Sequence, residues 1–380
     1  MAERPLDFGQ ALTLELPAPR FVPDPEVLAM PGIDRMRSAV AGTRPMSPVF
    51  RFSGMRPTDA GLGMVTMSMP ASPWWQTGAG VFGAGVLAFA ADAPASGAVL
   101  TSVPGGFGIT TSQLALDFLR PATIRSQNII ARGRLVHGTK SQGLAEVFVE
   151  DGYGRLLAHG TSRCMIVAIK EGGRPTPVSP SEPEQDPGPS PYELPVEGLV
   201  RGQELWDTTP GMEILQEARR NGGYRTPVTR FLGLRILEIG DGEVAVTMAA
   251  SRWLTSGTGT LYGGALAAFA DYTANCALVS IIPPATAFAP LDLKVNFVRP
   301  AVAGEGELVA RAKLVHRGRS VAIVHCEILS AEGKPVAIAN ESILILPGRP
   351  WARPVHVAEE ASVNEDPIGT RPRRAGETEG

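Results

Sequence analysis

Cysteine is scarce in this chain of 380 residues: Cys164, Cys276 and Cys326 form no CxxC pair and no zinc spacing. Three thiols cannot all pair internally, which suits a reducing compartment, and a cytoplasmic location is expected. Excess positive charge is also missing. A net charge of −3 leaves no broad basic face, so nucleic acid is not an expected partner. No HxxxH, HExxH or acidic cluster suggests a metal, no GxSxG elbow is present, and no histidine precedes His137. The longest apolar stretch, 79–100, is broken by Asp92 and Pro94, which argues against a membrane span. The opening MAERPLDFGQ lacks the basic-then-apolar order of a signal peptide.

What the chain does contain, it contains twice. Trp74 answers to Trp253, Asp92 to Asp271, Arg120-Pro121-Ala122 to Arg299-Pro300-Ala301, and Leu135-Val136-His137 to Leu314-Val315-His316, all at an offset of 179. Arg51-Phe52 with Arg230-Phe231 and Gly154 with Gly333 keep the same spacing. Each copy, at about 130 residues, is too long for a solenoid unit and the right size for a small domain. With 44% hydrophobic residues, two cores can be filled. The expected organisation is a Pro-rich extension over 1–32 that wraps the surface or stays mobile, then a domain over 33–170. A Pro-rich linker over 171–197, with 174–195 outside the core, leads to a second domain over 198–347 and a disordered tail over 348–380.

Within the second copy, 211–220 reads as a short helix and Thr226 to Met248 as two strands meeting at Gly240-Asp241-Gly242. Residues 263–280 are Ala-rich and apolar on nearly every face, the pattern of a buried helix. Strands follow at 291–298, 307–316, 320–329 and 335–346; the first copy repeats the layout with a helix from about Gly83 and strands at Leu114, Ile129, Leu144 and Leu156. The expected fold class is α+β, each copy wrapping an antiparallel sheet around one helix.

Asp271 and Asp92 lie inside these apolar helices, where an unpartnered carboxylate costs several kcal/mol. A purely structural aspartate is one reading. Its retention in both copies, and the small Ala267, Ala268, Ala274 and Asn275 around Asp271, favour a functional one. Tyr262-Gly263-Gly264 opens the second helix, and glycines there let a ligand approach electropositive N–H groups suited to a developing oxyanion. Gly83-Ala84-Gly85 stands at the same place in the first copy. The GxGxxG match over 78–83 follows Pro73-Trp74-Trp75 rather than a strand, so dinucleotide binding is not expected. His137 and His316 each end a Leu-Val strand, where a structural role is the expected one.

The helix start, the Asp seven residues after its second Gly, the Arg-Pro-Ala and the His-Arg-Gly-Arg turn resemble PaaI-type acyl-CoA thioesterases of the hotdog fold. The resemblance spans both copies and implies a double hotdog whose composite sites join the helix start of one copy to the Asp of the other. Site A would pair Gly263 and Gly264 with Asp92 and Thr111; site B would pair Ala84 and Gly85 with Asp271. The family's His falls on Tyr262 and Gly83, its Asn on Ser256 and Thr77, and the hydroxyl of Thr111 becomes Pro290 in copy two. These losses leave site A the better equipped, although Pro94 interrupts the first helix and would kink it. Tyr262, Ser256, Thr77, Ala84 and Gly85 would line the substrate, and Arg317 and Arg319 would meet coenzyme A phosphates. The implied activity is acyl-CoA thioester hydrolysis without cofactor, in a unit that could form homo-oligomers. The alternatives are a non-catalytic acyl-CoA-binding protein and a hotdog enoyl-CoA hydratase.

Overall fold

The computed structural model describes residues 10–19, 21, 24–169, 188–220, 226–257 and 259–350. The first copy contributes β1 (Arg56–Gly61), β2 (Met64–Pro70), β3 (Phe107–Phe118), β4 (Asn128–Gly138), β5 (Gln142–Asp151) and β6 (Leu156–Ala168). The second contributes β7 (Leu234–Ile239), β8 (Glu243–Ala249), β9 (Thr286–Phe297), β10 (Glu307–Arg317), β11 (Val321–Leu329) and β12 (Pro335–Pro347). All twelve form one sheet, in the order β1-β2-β4-β5-β6-β3-β9-β12-β11-β10-β8-β7. Exchanging each strand for its counterpart reverses that order, so a pseudo-twofold axis crosses the β3–β9 seam. There Ala115 pairs with Lys294, its own counterpart at 294 − 115 = 179. The two-unit hotdog fold is therefore closed across the axis by backbone hydrogen bonds.

Inside the sheet lie two helices, Ala84–Leu100 and Gly263–Val279, here called the first and second core helices. They are apolar all round because the sheet covers one side and the sister helix the other. Small residues set the spacing: a Cβ on Gly85 would stand 2.6 Å from the Ala268 Cα, so no side chain fits there. The axis also runs between Phe52 and Phe231, equivalent residues whose rings stack at 4.0 Å. Each is flanked by the other copy's tryptophan, Trp74 on Phe231 at 5.5 Å and Trp253 on Phe52 at 6.2 Å.

Several elements depart from the sequence reading. The stretch read as one strand from Thr226 is a helix over Pro227–Leu232, capped by Thr226, before β7 starts at Leu234. Pro at the first helical turn favours that helix, and Gly233 ends it at φ 77°. The described part of 1–32, read as a Pro-rich extension with little periodicity, contains helices over Leu12–Glu15 and Pro25–Ala29. Most of the linker lies outside the described residues, as does the tail from 351 onward. The linker's end is docked, not free: Tyr192 and Leu194 pack against the core.

These two segments make equivalent contacts. Trp253 Nε1 donates to the Leu16 carbonyl at 3.0 Å, and Trp74 Nε1 donates to the Leu194 carbonyl at 3.0 Å. Ser251 Oγ likewise donates to Thr13 and Ser72 Oγ to Tyr192. The segment preceding each copy thus lies across the other copy. Glu15-Leu16-Pro17 and Glu193-Leu194-Pro195 carry the repeat in sequence, one residue short of the main offset.

Candidate active site

Site A forms where the second core helix begins against the middle of the first. Asp92 is 2% exposed. Its Oδ1 accepts from Thr111 Oγ1 at 2.9 Å and its Oδ2 from the Gly264 N–H at 2.9 Å. Thr111 reaches the carboxylate from β3 directly before a β-bulge that separates it from Gln113. Bulges re-aim side chains in this way. Gly263 is glycine because a Cβ there would lie 2.8 Å from Asp92 Oδ2. Since Gly264 is engaged by Asp92, the Gly263 N–H is the donor left without a partner among the described residues. It stands at the positive end of a 17-residue helix. Gly264 orients the carboxylate, and Gly263 is the free N–H.

Burial pushes Asp92 from its ordinary value near 3.8 up to about 6, with the Thr111 hydroxyl and the Gly264 N–H limiting the rise. Cys164, on the next strand, is driven up to about 12 by burial and then by the Asp92 charge, so it is a neutral thiol and no nucleophile.

Tyr262 does not face a substrate. Its hydroxyl donates to the Phe89 carbonyl at 2.7 Å and accepts from the Ala93 N–H at 2.8 Å. Those two groups are four residues apart and would bond to each other in an unbroken helix. Pro94, next in the chain, has no N–H and its ring crowds the Ala90 carbonyl, which opens the turn. The Tyr262 hydroxyl fills the opening, so the first core helix runs through Pro94 instead of ending there. The turn so bridged is the one that carries Asp92.

Site B is related by the axis. A Cβ on Gly85 would lie 3.0 Å from Asp271 Oδ2, and one on Gly83 would lie 3.1 Å from it. Asp271 is 3% exposed and is also raised to about 6, by burial first, with the Gly85 N–H, Asn275 and Glu341 favouring the charged form. The Ala84 N–H has no partner among the described residues. Pro290 replaces Thr111, and a bulge follows it too. What the sequence reading missed is Glu341, 1% exposed on β12, where copy one has Ser162. Strand alternation was the available signal: Glu341 falls on the inward set with Ala337, Ala339 and Ile343.

The remaining candidates lie further away. Thr77 directs its hydroxyl to the Val81 carbonyl at 2.8 Å, closing its own loop before the first core helix. Ser256 occupies the equivalent loop, where its N–H donates to the Thr260 carbonyl. Arg317 and Arg319 are exposed at the β10–β11 turn. That hairpin is tied through Leu314 and Gly242 to Ser280, the cap at the far end of the second core helix. At a helical rise of about 1.5 Å per residue, Ser280 is roughly 24 Å along the axis from Gly264. Gly264 is bonded to Asp92, so the arginine hairpin is anchored that far along the helix from the site A carboxylate. His137 and His316 follow equivalent bulges in β4 and β10 and are exposed.

The chain is similar to several known proteins. Over 144 residues the chain is 25% identical to a putative esterase of Pseudomonas aeruginosa, covering 38% of this chain and 94% of that one. Over 111 residues it is 28% identical to the acyl-coenzyme A thioesterase PaaI of Escherichia coli, covering 28% and 74% of the two. Among solved structures, the tesB protein of Mycobacterium avium subspecies paratuberculosis aligns with 83% of this chain and 100% of its own, at 14% identity and a TM-score of 0.48. Residues 258–337, within the second copy, match the model of the Thioesterase superfamily.

Proposed function

We propose that the protein hydrolyses an acyl-CoA thioester at site A. The observation that carries this reading is Asp92, a buried carboxylate held between the Thr111 hydroxyl and the Gly264 N–H of the other copy, beside an unused Gly263 N–H. The similarity to a bacterial acyl-coenzyme A thioesterase supplies the substrate class.

In this mechanism the Gly263 N–H polarises the thioester carbonyl while the Asp92 carboxylate takes a proton from water as its oxygen attacks. The oxyanion forms against the Gly263 N–H and the helix dipole, where preorganised donors act most strongly. Collapse expels the CoA thiolate. A thiol titrates near 8.5 in model compounds, so its departure needs little acid assistance and no catalytic histidine.

Purified Asp92→Asn is expected to lose at least about 10²-fold in kcat, the scale of general-base removal. Asp271→Asn is expected to retain much of the thioester turnover. If Asp271→Asn proves the dead variant, the working site is the other one. Because Asp92 must be ionised to act, kcat should fall as pH drops below about 6.

A further inference from the structure

Glu341 is a buried acid that the thioesterase reading of site A leaves unused. It projects from the inner face of β12, opposite Leu293 of β9, beside Asp271. Both Glu341 carboxyl oxygens and Asp271 Oδ1 are buried without an N–H or hydroxyl donor in hydrogen-bonding geometry. Two adjacent ionised carboxylates in a dry core would each cost several kcal/mol; the Gly85 N–H and Asn275 offset part of that for Asp271, and no such donor serves Glu341 among the described residues. A single proton shared between them removes that conflict, as in other carboxyl pairs. Glu341 is the member that holds it, since burial, the Asp271 carboxylate and the Asp292 charge all make it a weaker acid, its titration raised well above the usual carboxylate range. Cys276 and Cys326, coupled to Asp271 and Glu341 respectively, are acids as well, whereas the Gly85 N–H and Asn275 favour charge on Asp271 alone.

We propose that site B is a second hydrolytic centre, in which Asp271 is the base and Glu341 the acid, fitted to acyl esters of oxygen leaving groups. The proposal rests on reading the composite sites as acyl-transfer centres. Asp271 takes a proton from water as the water oxygen bonds to the ester carbonyl carbon, and the carbonyl electrons move to an oxyanion facing the Ala84 N–H. Collapse breaks the C–O bond while Glu341 gives its proton to the departing oxygen. The proton on Asp271 then returns to Glu341 along their shared hydrogen bond. One ester and one water become one acid and one alcohol, and the pair is restored.

The presence of an acid is what selects the substrate. A thiolate, titrating near 8.5, leaves unaided, whereas a phenol near 10 gains more from protonation and an aliphatic alcohol more still. Site A carries Ser162 where site B carries Glu341, so it has no such acid.

The test uses the full-length chain with Asp92→Asn, which silences site A, and three probes: butyryl-CoA, phenyl butyrate and p-nitrophenyl butyrate. The Asp92→Asn chain is expected to lose butyryl-CoA hydrolysis and keep phenyl ester hydrolysis. Adding Glu341→Gln should lower the phenyl ester rate by about 10²-fold. It should slow the p-nitrophenyl ester much less, because that leaving group needs little acid. Glu341→Ser, which restores the residue of copy one, should show the same split and serves if the Gln variant folds poorly. Infrared difference spectra at neutral pH should show a protonated carboxyl band that disappears in both Glu341 variants and persists in Asp92→Asn. Phenyl ester turnover no faster than buffer, equal losses on both esters, or a band that survives Glu341 replacement would overturn the proposal. Butyryl-CoA turnover unaffected by Asp92→Asn would instead sink the reading of site A, leaving the ester results to judge the pair.

Discussion

At pH 7 Asp92 is charged inside a core that disfavours charge, because burial has moved its titration from near 3.8 to about 6. Below the lower value the group is protonated whether the chain is folded or not, and it has no effect on stability. Between the two values the unfolded chain releases the proton while the folded one keeps it, so stability falls as pH rises through that window and stays lower above it. The deficit is on the order of 3 kcal/mol. Asn at this position is neutral at every pH, and the Thr111 hydroxyl can rotate to accept from its amide. Asp92→Asn is therefore expected to raise the melting temperature at pH 8 and to lose that advantage towards pH 4, even as it removes turnover. Melting curves of the two chains across that range check the sign; a gain larger at low pH would refute it. Asp92 itself was legible from sequence, since a carboxylate repeated in two Ala-rich helices has few structural excuses. Its partner Gly264 was legible only as a generic donor, because which N–H meets a carboxylate depends on how two helices cross.

The first core helix shows what an element needs from outside itself. Read alone, Pro94 should end or bend it, and Tyr262 should face a ligand in place of the family's histidine. Together they are complementary, since the proline opens one turn and the tyrosine hydroxyl fills it from the other copy. Tyr262→Phe would leave the Ala93 N–H and the Phe89 carbonyl without the bridging hydroxyl, a loss of about 1–3 kcal/mol for buried polar groups. It is expected to lower kcat as well, since the loosened turn carries Asp92. Pro94→Ala restores an N–H and lets the ladder close, so it should recover part of the stability lost in Tyr262→Phe. Denaturant titration of the two single variants and the double gives the coupling. Strictly additive losses would show that the two residues act independently. Alternation and turn signals located most strands, whereas the helix over Pro227–Leu232 was misread as strand because six residues give too short a window for periodicity.

In the whole molecule neither copy is complete. The sheet is closed at Ala115 and Lys294, Phe52 stacks on Phe231, and the segment preceding each copy lies on the other copy's tryptophan. Arg230, 4% exposed, draws Glu15 from one such segment and Glu197 from the other onto the second copy. Residues 1–169 expressed alone are accordingly expected to sediment as a dimer, with β3 paired to itself and Phe52 on Phe52. A folded monomer in sedimentation analysis would contradict the shared core. Truncating that stack by Phe231→Ala in the full chain should cost about 3–5 kcal/mol, the range for a large buried aromatic.

The constant offset of 179 determined the duplication, the equivalence of Asp92 with Asp271 and the α+β layout of each copy, because such features are written in local pattern and spacing. Only the tertiary structure decided which group meets which across the axis. Tyr262 inserts into the other copy's helix, Glu341 is set beside Asp271, and Arg317 and Arg319 are held a helix length from Gly264. These outcomes depend on distances between residues far apart in the chain. Helix crossing, bulge position and sheet closure set those distances, and no window of sequence contains them.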